Sequence, residues 1–394
     1  MMMDSKKTYG CLFVLMMVNN WWGDLKVFSG IYFLVRPAVL SVSAMIAFGI
    51  AIRKKYAVAE LLLCIFLVMI GGYTSYVTES KWILYLTVLI ALVKETDTKS
   101  ILVVAYRSMS VFLLISMSVF IIQVVGSPDM LGTISYNGIT KYDMNFIGAN
   151  EAARYWIYWV LLSRCMDTKR TISIFNAILV AFGTVFFYLC TRSEALLIVP
   201  GILFLKYIER YKKCERFVQR AGGYSFLSIC ICSVLILRLN GTGLFALADQ
   251  FCSGRLSLGI AAFRIYGTTF LGRSPLRFYH WINAGTDNAL RLVVDNAYHM
   301  IMIQYGIIYL MIISFIFIKA SKKCSYRENI CFIVYSIFAL AENVIFSPTA
   351  IFPVLIAASA CWDKGREKHI DRPEEDRTGM EHKMLGEEGG CFAR

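Results

Sequence analysis

Charged residues are scarce in this sequence, at 17% of its 394 residues, whereas hydrophobic residues make up 58%. A soluble domain of this size cannot bury so much apolar surface, so the composition excludes an ordinary soluble protein. Apolar runs such as 31–52 and 101–125 are long enough to cross a bilayer. The sequence therefore predicts an integral membrane protein with many helices.

Motifs for nucleotides and metals are also missing. The sequence has no phosphate-binding glycine loop, no Asp-x-Asp motif of nucleotide-sugar enzymes and no dinucleotide fingerprint. None of its 12 cysteines belongs to a CxxC pair or a His/Cys cluster with metal-site spacing, and most lie in apolar runs, where cysteine acts as a small hydrophobe. We expect no metal or nucleotide cofactor. Only Cys190 and Cys252 are placed to meet on the predicted outer side, and we do not expect a disulfide between them.

Twelve apolar runs divide the chain, and we expect each to form a transmembrane helix, although several are shorter than the roughly 20 residues of a typical span. The first run follows Lys6 and Lys7 and has no small-residue cleavage site after it, so it predicts a first span instead of a signal peptide. The runs are 8–22, 28–51, 57–73, 82–93, 101–125, 151–164, 171–190, 194–208, 222–239, 295–318, 329–346 and 349–362.

Basic residues set the predicted orientation of these helices. Polytopic proteins concentrate Lys and Arg in cytoplasmic loops, and a cytoplasmic N-terminus places every dense basic segment of this chain inside. The same bias accounts for the net charge of +13 without a nucleic-acid partner. We therefore predict a transmembrane domain over 1–362, with both termini cytoplasmic. The charged tail, 363–394, is predicted to be a disordered cytoplasmic extension.

One predicted outer loop, 240–294, departs from the charge rule. All its cations are arginines, it lacks lysine and glutamate, and its only acids are Asp249 and Asp287. Guanidinium forks suit multidentate contact with phosphate, whereas lysine offers a point charge. Aromatic residues interleave with the arginines, and 256–263 has the pattern of a short amphipathic helix. An aromatic belt at the membrane interface explains the aromatics but not the missing lysines.

Two further arginines are candidates for anion binding. Arg192 lies in a tight predicted outer turn, where it either reaches lipid headgroups or adds a contact to the arginine loop. Arg36 lies inside the second run beside Pro37, and its predicted partner is either Glu342 or a phosphate-bearing ligand. Arg107 and Arg154 lie nearer to helix ends, so we expect them to reach the headgroups.

Asp295 and His299 open the tenth run, directly after the arginine loop. Four residues apart on a helix, they would face the same way, and an aspartate beside an imidazole favours a general base or an oriented donor. The alternative is an aspartate that caps the helix and a histidine at headgroup level.

Several short segments, in this order, resemble the O-antigen and capsule polysaccharide polymerases of the Wzy type, which are related to the O-antigen ligases. Tyr266 stands where some polymerases have a glycine after the Gly-Arg start, and Asp295-Asn296 replaces the His-Asn of ligases, which favours the polymerase. The segments are Phe146-Ile147-Gly148-Ala149-Asn150, Thr191-Arg192-Ser193-Glu194-Ala195-Leu196-Leu197, Gly254-Arg255-Leu256-Ser257, Phe270-Leu271-Gly272, Asp295-Asn296-Ala297-Tyr298 and Gln304-Tyr305-Gly306-Ile307-Ile308.

The resemblance implies an all-α polytopic protein of the bacterial cytoplasmic membrane. At the outer face of that membrane it would polymerise undecaprenyl-pyrophosphate-linked oligosaccharide repeat units into O-antigen, capsular polysaccharide or exopolysaccharide. Its partners would be that lipid-linked substrate, membrane lipid, a flippase and a chain-length regulator. Pyrophosphate would be the leaving group, stabilised by guanidinium groups. Asp295 and His299 are the catalytic candidates. The candidates for substrate binding are Arg36, Arg192, Arg255, Arg264, Arg273, Arg277, Arg291 and Asn296.

Two other functions compete with this one. A ligase would use the same donor with a different acceptor. A flippase or transporter would distribute its charges along a central cavity between two related halves, whereas this sequence concentrates arginine in one loop and shows no internal repeat.

Overall fold

Helices account for most of the apolar runs among the residues that the structure describes. The computed structural model describes residues 5–26, 29–126, 133–136, 139–146, 148–167, 174–209, 211–251, 254–274, 279–280, 290–291, 294–343 and 345–363. The helices are α1 (Ser5–Asp24), α2 (Ser29–Arg53), α3 (Val58–Thr78), α4 (Lys81–Leu92), α5 (Thr98–Gly126), α6 (Ala149–Met166), α7 (Ile174–Thr191), α8 (Ile198–Ile208), α9 (Lys212–Arg238), α10 (Gly243–Phe251), α11 (Arg255–Tyr266), α12 (Ala297–Met300), α13 (Ile307–Ser321), α14 (Tyr326–Ala341) and α15 (Phe352–Trp362).

Within the described ranges, five helices are both long and apolar enough to cross a membrane, namely α2, α3, α5, α7 and α9. Their large apolar side chains are widely exposed, for example Phe33 and Ile174, each at 80%. Contiguous apolar surface of this kind marks contact with lipid. The protein is therefore a helical membrane protein.

Three further apolar helices are short, with 12 residues in α4, 15 in α13 and 11 in α15. At about 1.5 Å per residue they extend less than the roughly 30 Å of a hydrocarbon core. The α15 helix is buried from 352 to 360 and packs against α5 and α13, so it forms the centre of the bundle. A helix that is apolar on all its faces is typically buried in this way. The number of twelve crossings stays a prediction.

The dense basic segments gather at one end of the bundle, which we call the basic end. Backbone and side-chain contacts link them, since Lys54 donates to the carbonyl of Leu92 at 2.5 Å and Lys323 to that of Asp363 at 2.7 Å. Among the described residues, the basic segments therefore share one side of the protein; that this side is cytoplasmic stays a prediction. The ion pairs there include Lys6–Asp97, Lys94–Glu60, Lys206–Glu209 and Arg327–Glu209.

The opposite end, which we call the loop end, carries the predicted outer loops. Between α5 and α6, an antiparallel hairpin pairs β1 (Thr133–Tyr136) with β2 (Ile139–Tyr142). Two residue pairs link β3 (Tyr279–His280) to β4 (Leu290–Arg291). The predicted tail lies outside the described residues apart from Asp363.

The tenth apolar run is broken, although the sequence predicts one continuous span over 295–318. A π-helical turn, Ile301–Tyr305, follows α12, and Gly306 then interrupts the helix with φ of +113°. That left-handed backbone conformation suits glycine and strains other residues. The helix resumes at Ile307 as α13.

The segment 268–273 of the arginine loop pairs with this break. The Thr269 amide donates to the carbonyl of Met302 at 2.8 Å, and the Ile307 amide donates to the carbonyl of Thr269 at 2.9 Å. On the other side, the Thr74 hydroxyl of α3 donates to the Leu271 carbonyl at 2.6 Å. Backbone groups freed within a membrane protein need such partners. The break therefore fixes one part of the loop against the bundle.

Substitution of Gly306 by alanine tests this pairing between segment 268–273 and the helix break. A Cβ atom there would lie 2.3 Å from the carbonyl oxygen of Phe270, in addition to the φ strain. We expect Gly306→Ala to lower the free energy of unfolding in detergent by about 1–3 kcal/mol. The control is Gly72→Ala in α3, where a Cβ meets no atom within 4 Å and no loss is expected. Equal losses of unfolding free energy in Gly306→Ala and Gly72→Ala would contradict this pairing of the loop with the break.

Candidate functional site

A buried guanidinium organises the loop end. Arg154, in the second turn of α6, is 3% exposed, and its Nη2 lies 2.9 Å from Oδ2 of Asp24 at the end of α1. It also forms an ion pair with Glu151, three residues earlier on α6. The Tyr155 hydroxyl donates to the same Asp24 oxygen at 3.0 Å, and the Asn20 amide does so at 2.9 Å. One arginine thus holds two carboxylates from two helices.

Arg154 does not reach the lipid headgroups, so the prediction from its place near a helix end is wrong. The start of α6 is enclosed by neighbouring helices, so the side chain has no route to the surface and pairs with acids instead. The i, i+3 spacing of Glu151 and Arg154 could have indicated their ion pair from the sequence. The contact with Asp24 could not be predicted in this way, because it joins distant parts of the chain. Arg107, by contrast, is exposed on α5.

Glu342 lies beside this network. It follows α14 directly, because the helix ends at Ala341 and not at the predicted 346. Burial and the Glu151 carboxylate raise the pKa of Glu342 from its usual 4.5 to about 7, while Arg154 and Arg255 oppose the shift. Folding therefore favours the protonated carboxyl, and the stability from this group is lost as pH rises from 4.5 towards about 7. A group that exchanges a proton near neutral pH suits acid–base chemistry.

Arg255 connects the arginine loop to Glu342 and its neighbours. Its Nε lies 3.2 Å from Oδ2 of Asp295, with the two side chains 24% and 31% exposed. Its Nη1 donates to the carbonyl of Ala341 at 3.0 Å, the residue before Glu342. The amides at the start of α11 are taken by Asp249, which accepts from Leu256 at 2.9 Å and from Ser257 at 3.0 Å. An anion would thus meet the Arg255 side chain and not the end of the helix.

The tenth run does not bring Asp295 and His299 to one helix face. Helix α12 begins at Ala297, and Asn296 caps it by accepting from the amides of Tyr298 at 2.9 Å and His299 at 3.2 Å. Asp295 therefore precedes the helix and pairs with Arg255. The predicted common face is wrong, because the capping residue is the asparagine.

His299 is fully buried instead of lining an open site. Its ring packs edge-on against Phe263 with centroids 5.3 Å apart, and a Cβ on Gly259 would lie 2.6 Å from Nδ1. The backbone of Ser233 lies close to the imidazole, but neither ring nitrogen has a hydrogen-bond partner of good geometry among the described residues. The packing gives His299 a structural role between α11 and α12.

The other loop arginines do not converge on Arg255. Arg264 is exposed on α11 nine positions later, about half a turn from the Arg255 face. Arg273 turns back onto its own loop, where it donates to the carbonyls of Tyr266 and of Thr268, the latter at 3.1 Å. Arg291 pairs through its backbone with Tyr279, and Arg277 lies outside the described residues.

The two candidate arginines outside the loop, Arg192 and Arg36, also form no contact with the Arg255–Asp295 pair among the described residues. Arg192 is exposed, has φ of +51°, and its guanidinium lies 5.8 Å from the centre of the Tyr188 ring. Arg36 lies 5.8 Å from the centre of the Tyr32 ring, which Lys81 also approaches at 5.3 Å. Arg36 forms no ion pair with Glu342 or with another described residue, and the alternative, a phosphate-bearing ligand for Arg36, stays a prediction.

Comparisons with protein-family models, with curated proteins and with solved structures found no match.

Removal of Arg154 tests the network. Arg154→Met would leave the Asp24 and Glu151 carboxylates buried without their cation, so we expect a loss of about 3–5 kcal/mol in unfolding free energy. The control Arg107→Met removes an exposed guanidinium and should cost less than about 0.5 kcal/mol. Neutralising both acids, as Asp24→Asn and Glu151→Gln, should restore most of the stability of Arg154→Met. Equal stabilities of Arg154→Met and Arg107→Met, measured by denaturation in detergent, would contradict this role of Arg154.

Proposed function

We propose that this protein polymerises undecaprenyl-pyrophosphate-linked oligosaccharide repeat units, with the reaction at the loop end, on the outer face of a bacterial cytoplasmic membrane. The observation that carries the proposal is the juxtaposition of a partly exposed guanidinium, Arg255, with a carboxyl of raised pKa, Glu342, beside the buried Arg154. Transfer from a pyrophosphate donor to a hydroxyl needs both functions: a cation for the leaving group and a base for the acceptor.

The assignment of roles follows from these environments. Asp295 is paired with Arg255, so its carboxylate orients the guanidinium. Glu342 is the proposed base, in place of the buried His299.

The proposed step is a single displacement. The acceptor hydroxyl oxygen bonds to the anomeric carbon of the donor sugar, and its proton passes to Glu342. The bond between that carbon and the pyrophosphate oxygen breaks, and the electron pair leaves with the lipid pyrophosphate. Arg255 stabilises the charge that develops on this leaving group. Arg264 and Arg192, which are exposed, are proposed contacts for more distant parts of the lipid-linked glycan.

Chain extension by the reconstituted protein tests the role of Arg255. With lipid-linked repeat units as the only substrate, we expect stepwise ladders of product. Arg255→Ala should slow the reaction about 100–1,000-fold because it removes one leaving-group contact. Arg238→Ala, at an exposed arginine that ends α9, is the matched control and should retain the rate. Transfer only to an added acceptor would indicate a ligase, and lipid movement without new glycosidic bonds would indicate a transporter.

The pH dependence of the same reaction tests Glu342. Because the base acts as the carboxylate and its pKa is about 7, the rate should fall tenfold per pH unit well below pH 7 and level off above it. Glu342→Gln should be slow and should lose this limb of the profile. An unchanged profile in Glu342→Gln would remove the residue from the proton transfer.

A further inference from the structure

A groove between α1 and α5 opens near the basic end, far from the candidate site. Its volume is about 860 Å³. Between its polar ends, the α1 wall consists of Gly10, Cys11, Val14 and Leu15, and the α5 wall of Val103 and Val104. The lining is therefore mostly aliphatic, as is the case where an acyl chain packs against a membrane protein.

Three lysines surround the mouth of the groove, namely Lys6, Lys7 and Lys99. Lys6 contacts Asp97 at 3.3 Å, with both side chains about half exposed. Asp97 also accepts from the Ser100 amide at 2.6 Å and hydroxyl at 3.0 Å, so its carboxylate is already well bound. Three lysines against one aspartate leave an excess of two positive charges around an apolar groove.

Lys7 and Lys99 supply this excess. Both are exposed, and neither forms an ion pair within the part of the chain that the structure describes. Long lysine side chains at helix ends extend their ammonium groups to the level of lipid phosphates. The charge bias that sets topology needs basic residues at this end, but it does not need them placed around an aliphatic groove.

We infer that this groove binds an anionic glycerophospholipid, with an acyl chain along the aliphatic walls and the phosphate between Lys7 and Lys99. The lipid occupies the leaflet at the basic end and is separate from the lipid-linked substrate of the loop end. A zwitterionic lipid of equal chain length fits the walls but carries no net charge to match the lysines. Selectivity for the anionic headgroup is therefore the property that defines the site.

Native mass spectrometry of the full-length protein in detergent tests the inference, with phosphatidylglycerol and phosphatidylcholine of the same chains as probes. We expect one phosphatidylglycerol to be retained in preference to phosphatidylcholine. Lys7→Ala with Lys99→Ala should weaken retention about 30-fold, since each lysine near an anionic lipid contributes about fivefold. The control Lys213→Ala with Lys322→Ala removes two exposed lysines of the same end and should not change retention.

Two further measurements distinguish the contribution of the apolar walls from that of the lysines. Val14→Trp fills the groove and leaves every lysine in place, so it should also release the lipid; its thermal midpoint in detergent verifies folding. Inorganic phosphate should not displace the lipid, because it lacks the acyl chain. Equal retention of the two lipids, displacement by phosphate, or equal losses in the two double-lysine variants would overturn the inference.

Discussion

The loop end depends on one buried guanidinium. Arg154 joins the last residue of α1 to the first turn of α6 through Asp24 and Glu151, and all three side chains are largely withdrawn from solvent. Charges in such a place are costly unless they are paired, so each of these residues constrains the others. Two helices distant in sequence are thereby fixed in position, and the surface they present to Glu342 is fixed with them.

The arginine loop is attached to this surface at two points. Arg255 bridges Asp295 and the carbonyl of Ala341, while segment 268–273 supplies the backbone partners that the break at Gly306 requires. The first attachment brings a cation next to Glu342, and the second keeps the loop against α3 and α13. These two attachments hold the described parts of the predicted outer loop against the bundle. A binding site for a charged headgroup needs such fixed positions.

The sequence predicts most helices because long apolar runs are a local signal, although the break at Gly306 and the end of α14 at Ala341 are not visible in that signal. The gathering of basic segments at one end follows from the same pattern of alternation. Arg255 was already a candidate from the sequence, since arginines without any lysine are unusual in an outer loop. Partners were harder to predict, because Asp24, Arg154 and Glu342 are separated by more than a hundred residues and no local pattern joins them. The roles of Asp295 and His299 depended on where α12 begins, which a single capping asparagine decides.

The central claim is that the loop end recognises a lipid pyrophosphate through Arg255. Binding of undecaprenyl pyrophosphate to the purified protein measures this directly, without any need for turnover. The account predicts saturable binding that is at least about tenfold weaker for undecaprenyl monophosphate and for the Arg255→Ala protein, while Arg238→Ala binds as the unmodified protein does. Equal affinity of Arg255→Ala and the unmodified protein for the pyrophosphate would contradict it.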